Sequence, residues 1–432
     1  MSASEGQREI FPIVVVGGGQ AGLAVSYYLT KARIRHVVLD AESRPGDSWR
    51  RRWSTLKLFT PARIDGLPGM RFPAGAQYLP GKQEMADYLA AYADHFHLPV
   101  RSRTRATSLR EANGWYLLGT SGGEIQADQV IVATGTNQTP RIPPFAAQLD
   151  PSIKQLTAAD YHDRSQLNAG PVLVVGAGNS GAEIALEAVH EHPTWLSGRD
   201  TGIGNPRVFS RPMWWIGTHL LVRSTPPGRR MISRMAHGGA PLLRIKSTDL
   251  SAAGIVRVAV TTGVKDGKPH LADGRVLEVS TVVWCTGFYQ DFTWIDLPIF
   301  DDRNQPIHWR GVVSSRPGVY FMGLPLMYGV SSGLVGGVGR DARHIARIAA
   351  KRARQGGAAG ARSRNATSRR SAAVDGIMQA CVAADPTVFA YYIAASRQSE
   401  VFESAERTGR RDRGTAVSGR SGRGVRWVEG GL

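Results

Sequence analysis

Cysteine is almost missing. Cys285 and Cys381 are the only two in 432 residues, and they stand far apart. That spacing excludes a disulfide scaffold, a cysteine-rich zinc site and a Cys-x-x-Cys redox pair, and it fits a reducing, cytoplasmic setting. Long apolar runs are missing too: none approaches the ~18 residues of a membrane helix. The opening "MSASEGQREI" lacks the charged-then-apolar pattern of a secretory signal. A soluble protein with no membrane partner is expected. Acids are scarce, with 35 Asp and Glu against 53 Lys and Arg, for a net charge of +18. Residues 351–432 carry 15 basic and 7 acidic residues (+8), which leaves +10 on the first 350. A basic balance suits nucleic acid or anionic small molecules. The basic stretches 354–371 and 407–424 contain no aromatic residue to stack on bases, so no nucleic-acid partner is expected. Histidines are scattered. His95 and His97 read as a helix end and His190 and His192 as the close of another, so no metal site is expected.

Glycine, by contrast, is abundant, at 50 residues. "VVGGGQAG" (15–22) and "VVGAGNSG" (174–181) are nearly the same phrase. In so glycine-rich a chain, chance alone supplies roughly 0.7 matches to Gly-x-Gly-x-x-Gly. Context carries the signal. Each copy follows a β-branched strand and opens an amphipathic helix, the arrangement that seats a dinucleotide pyrophosphate on a helix N-terminus. The next strand separates the copies. After Gly17, Gly19, Gln20, Ala21 and Gly22 it ends at Asp40, a carboxylate for ribose hydroxyls, which suits FAD. After Gly176, Gly178, Asn179, Ser180 and Gly181 it ends at Ser197 and Arg199, a hydroxyl and a guanidinium that suit the 2′-phosphate of NADPH. "DQVIVATG" and "STVVWCTGF" read as two further strands, each leaving through Thr-Gly. "RVLEVSTVVW" reads as sheet, residues 200–250 as irregular, and the segment after Arg354 as a low-complexity tail with one or two short helices.

With these residues in hand, the chain resembles the single-component flavin-containing monooxygenases, in a bacterial branch similar to the plant auxin-forming flavin monooxygenases. The resemblance spans about residues 10–350. It rests on "GGGQAG", "RPGDSWRRRWSTLKLFTPARIDGLPGMRFP", "VIVATGTNQTPRIP", "VVGAGNSGAEIA", "VVWCTGF" and "GGVGRDA". It implies an α/β fold of two Rossmann-like domains, the NADPH domain inserted into the FAD domain. The expected boundaries are 1–165 and 285–350 for FAD, 166–284 for NADPH, and 351–432 for the tail. It places Trp49, with Gly46 before it, along the flavin, and Thr134-Gly135 and Thr286-Gly287 at the crossings between domains. Trp49, Lys57, Thr60, Tyr328 and Arg340 become flavin-side or substrate-side candidates. "WWIG" (214–217) lines a substrate route or packs on the sheet.

The implied activity is NADPH-dependent reduction of FAD, formation of a C4a-hydroperoxyflavin with O2, and oxygenation of a small organic substrate. One stretch departs from the family. Where the resemblance expects Phe-x-Gly-x-x-x-His-x-x-x-Tyr/Phe, this chain has "PSIKQLTAADY": Pro151, Ile153 and Thr157 replace Phe, Gly and His, and Tyr161 is kept. That departure motivates a second reading, an NADPH-dependent flavin oxidase or reductase without oxygen insertion. A flavin-bearing sensor or scaffold is the alternative of another class. A homo-oligomer is left open.

Overall fold

The computed structural model describes residues 9–237 and 241–359. The low-complexity tail expected after Arg354 lies mainly outside the described residues. The first β-α-β unit is β1 (Glu9–Val16), α1 (Gln20–Lys31) and β2 (His36–Leu39). Ile13–Val16 is a β-branched run buried on both faces, as a strand between two parallel neighbours requires. Those neighbours are β2 and β3 (Gly123–Val132), with Val14 opposite both Val37 and Val130. The hairpin Ala106–Ala112/Trp115–Thr120 extends one side of the sheet, and Val100–Arg101 the other.

The second sheet is smaller and fully parallel. Its order is Val256–Val258, β6, β5, β7, β4, where β4 is Lys154–Thr157, β5 Val172–Val175, β6 Thr194–Ser197 and β7 Thr281–Trp284. Helix α2 (Asn179–Ala188) connects β5 to β6. The chain then returns to the first sheet: β8 (Val319–Phe321) pairs in parallel with β3, Tyr320 opposite Ile131. The small sheet is thus an insertion between β3 and β8 of the large one. Helix α5 (Val338–Ala359) packs on α1 and runs straight through position 351, where the tail was expected to begin.

Two sequence expectations change. The stretch expected to be irregular, 200–250, contains three helices among its described residues: α3 (Arg211–His219), α4 (Pro226–His237) and a short helix Ser247–Ala252. Pro212, Pro226 and Pro227 all sit in first turns, where no N–H is needed. The sheet expected across "RVLEVSTVVW" is confined to β7.

Candidate functional site

The two glycine phrases fold into the same socket. Gly17 has φ +109°, and a Cβ on it would lie 2.4 Å from the Ala133 carbonyl oxygen. A Cβ on Gly22 would lie 1.8 Å from the Gly17 oxygen. In the second copy, Gly176 has φ +111° with its Cβ position 2.2 Å from the Cys285 oxygen, and the Gly181 position is 1.8 Å from the Gly176 oxygen. The middle glycines behave oppositely. A Cβ on Gly19 or Gly178 meets no described atom within 4 Å. Both are N-caps, of α1 and α2, without a side-chain capping bond. Each socket therefore offers free helix N–H groups to an open space, the geometry that binds a phosphate. Each first glycine also rests on a strand exit, Ala133–Thr134–Gly135 or Cys285–Thr286–Gly287, whose glycines have φ +80° and +93°.

The rims differ. Asp40 is 7 % exposed and accepts the Glu42 N–H at 3.2 Å. Burial pushes its pKa up. The second socket opens into a cleft of about 420 Å³, with Gly178, Asn179, Arg199, Thr201 and Thr286 in its wall. Arg199 is exposed, and among the described residues it has no ion-pair partner. Thr201 was not foreseen; its Oγ1 is buried without a hydrogen-bond partner, and no motif marks it. Ser197 corrects an expectation. It is fully buried, its hydroxyl lies 2.9 Å from the Ala259 carbonyl and 2.8 Å from Thr261 Oγ1, and it accepts the Thr261 N–H at 2.8 Å. That hydroxyl ties β6 to the next segment and has no capacity left for a phosphate.

Comparison with known proteins agrees with this geometry. The family model described as pyridine nucleotide-disulphide oxidoreductase matches residues 14–210. A CzcO-like oxidoreductase of Geobacillus kaustophilus is 37 % identical over 341 residues, covering 78 % of this chain and 98 % of the relative. A probable indole-3-pyruvate monooxygenase, YUCCA7 of Arabidopsis thaliana, is 28 % identical over 357 residues, covering 72 % and 82 %. The flavin-containing monooxygenase of Stenotrophomonas maltophilia superposes with a TM-score of 0.62 at 26 % identity, covering 80 % and 99 %. The chain belongs to the flavin monooxygenase family. Flavin monooxygenases use FAD and NADP(H), and the two open sockets of this one fit such cofactors.

The two halves of the chain are joined by a short waist. Thr139–Pro140 and Phe288–Tyr289 pair as an antiparallel ladder, and Arg141 lies over the Tyr289 ring at 4.3 Å. Thr286 Oγ1 donates to the Arg141 carbonyl, and Thr134 Oγ1 accepts from Gln138 at 2.9 Å. Trp49 donates from its indole to Gln20 Oε1 at 3.3 Å, at the mouth of the first socket. Gly46, with φ +91°, packs on Ala86. The residues after Trp49 turn instead onto α2. Trp53 donates to Glu183 at 3.2 Å, and Ser54 and Thr55 donate to Glu187 at 3.0 and 2.6 Å. Arg244 pairs with Glu183 at 2.8 Å. This clasp between the two halves escaped the sequence reading, because two glutamates on a helix look like solvated surface.

The remaining candidates are not brought together. The Lys57 side chain is exposed. Thr60 is buried and donates to Asp65 at 2.5 Å. Asp65 is fully buried, its other oxygen has no partner, and burial pushes its pKa up to about 7. Tyr328 lies between Arg310 and Arg340, 3.6 and 4.9 Å from its ring centre, and its hydroxyl meets Ser224 at 2.9 Å. Arg340 also donates to the Thr218 carbonyl and to Ser332 at 3.3 Å, and contacts Asp341 at 3.2 Å. Both side chains bind the 218–224 segment to the glycine-rich segment 329–337, so the structure gives them a scaffolding contact where a substrate contact was expected. Tyr161 is fully buried with no hydrogen-bond partner for its hydroxyl. No cluster of metal-ligating side chains occurs among the described residues, and no described helix is long and apolar enough to cross a membrane.

Proposed function

We propose that the chain is an NADPH-dependent flavoprotein monooxygenase, with FAD in the first socket and NADPH in the second. The observation that carries this is the contrast between two equal sockets with unequal rims: a buried carboxylate, Asp40, at one and an unpaired guanidinium, Arg199, at the other. Bound there, the flavin supplies the redox chemistry, taking a hydride from NADPH and activating O2 toward a small organic substrate.

The chain's own groups bind and orient. The first-turn N–H groups of α1 and α2 hold the two pyrophosphates. Asp40 accepts ribose hydroxyl protons, and its burial strengthens those bonds. Arg199 binds the 2′-phosphate, with Thr201 Oγ1 as an added donor in the cleft wall. Trp49, held by Gln20, closes the first socket. The crossings at Thr134-Gly135 and Thr286-Gly287 bound the NADPH part, which begins before the expected residue 166, because β4 (Lys154–Thr157) pairs with β7 in the second sheet.

A panel of keto acids, amines, sulfides and ketones tests the reading by comparing NADPH consumed, H2O2 released and oxygenated product. Product formed in step with NADPH supports it. H2O2 equal to NADPH with every substrate overturns it in favour of the oxidase reading. That second reading is favoured by one stretch: Thr157 stands in β4 where the resemblance expects histidine, and its hydroxyl is committed to Asp160 at 2.6 Å.

A further inference from the structure

Between Asp200 and Asp249 the chain has no acidic residue, while it has seven arginines and one lysine. Arg244 is paired with Glu183. Arg207, Arg211, Arg229, Arg230 and Arg234 are exposed, and none has an ion-pair partner among the described residues. The same stretch is unusually apolar on its outside. Seven of the sixteen exposed large hydrophobic side chains of the described residues fall between 203 and 235, with Ile203 at 58 % and Trp215 at 56 % exposure.

The helices explain this pairing. α3 has two faces. Trp214 turns inward, where a Cβ on Gly336 would lie 3.3 Å from its ring. Trp215 turns outward and stacks on His219, one turn on, at 5.1 Å. In α4, Ile232 is buried, while Met231 and Met235 form one exposed stripe and Arg230 and Arg234 another. Spacing of four residues keeps each pair on one side of its helix. On α4 an apolar and a cationic stripe therefore lie side by side, α3 exposes a further apolar ring at Trp215, and residues 201–248 hold no acidic residue.

We propose that the α3–α4 excursion is a docking face for an anionic lipid bilayer. Exposed Trp, Met and Ile insert at the headgroup–acyl boundary, and arginines beside them meet lipid phosphates. A nucleic acid would use the arginines but gain nothing from Met231, Met235 or Ile203, so the lipid surface is the better match. The inner face of α3 packs on the glycine-rich segment at Gly336. The proposal does not rest on the oxygenation reading.

The test uses the full chain and sedimentation with phosphatidylcholine vesicles, with and without phosphatidylglycerol. The basic residues of 351–432 remain in every sample, so the variants isolate the helices. The parent is expected to sediment with phosphatidylglycerol vesicles and to be released by added salt. Arg230→Gln/Arg234→Gln and, separately, Trp215→Ser/Met231→Ser/Met235→Ser are each expected to lose at least roughly tenfold in binding, with the parent's melting temperature. Brominated lipid is expected to quench parent tryptophan fluorescence more than that of Trp215→Phe. Vesicle binding unchanged in both multiple variants overturns the proposal, as does parent protein that ignores phosphatidylglycerol vesicles but binds duplex DNA.

Discussion

Arg199 gives the sharpest residue-level expectation. A charge-assisted, bidentate contact to a phosphate is worth about 1.5–3 kcal/mol. Arg199→Ala should raise KM for NADPH roughly tenfold to a hundredfold while leaving NADH nearly unchanged, as steady-state kinetics with both cofactors will show. The glycines of one socket should separate folding from binding. Gly181→Ala drives a Cβ into the Gly176 carbonyl and should lower the melting temperature sharply. Gly178→Ala meets no described atom, so the protein should fold and lose affinity for NADPH, read by titration. Asp65 adds a pH dependence. Its folded pKa near 7 lies above the usual 3.8, so the folded chain holds that proton more tightly than the unfolded one. The associated stability is complete below about pH 4 and is lost as pH rises toward 7. Asp65→Asn keeps an acceptor for Thr60 and should flatten melting temperature against pH across that window, leaving the variant more stable than the parent above it.

Among the elements, the clasp on α2 has a predictable ranking. Glu183→Ala strands the buried Trp53 N–H and the partly exposed Arg244 guanidinium, a loss of about 2–3 kcal/mol, below that of a fully buried pair because solvent reaches the arginine. Glu187→Ala removes an acceptor from two hydroxyls near solvent and should cost about 1–2 kcal/mol. Urea midpoints of the two variants test the order. The β-α-β units were legible in sequence, because β-branched runs ending in glycine have few other uses. Helices α3 and α4 were not, since a proline in a first turn looks, in sequence, like a proline that breaks a helix. Ser197 was misread for a related reason: a hydroxyl at a strand end gives no sign of whether its partner is a ligand or the neighbouring strand.

For the molecule as a whole, charge is the property that acts at a distance. NADPH is a polyanion and the chain carries +18, so encounter should be steered. Its association rate, measured by rapid mixing, should fall several-fold between low and high ionic strength, a wider span than Debye screening leaves for a neutral pair. The insertion of one sheet within the other was expected from the family resemblance, which also places the Thr-Gly exits at the crossings. The contact between the halves was not, because it depends on side chains more than a hundred residues apart, such as Trp53 and Glu183.

The ladder of Thr139–Pro140 with Phe288–Tyr289 is two residues wide, and both chain crossings run through it. A joint so narrow resists stretching but offers little resistance to torsion. Arg52 lies over the Phe288 ring at 5.5 Å, so the bonds from Trp53, Ser54 and Thr55 to α2 begin beside the ladder and brace it. Ladder and clasp therefore form one seam, and the two glutamates of α2 stiffen a joint that the ladder alone would leave two residues wide.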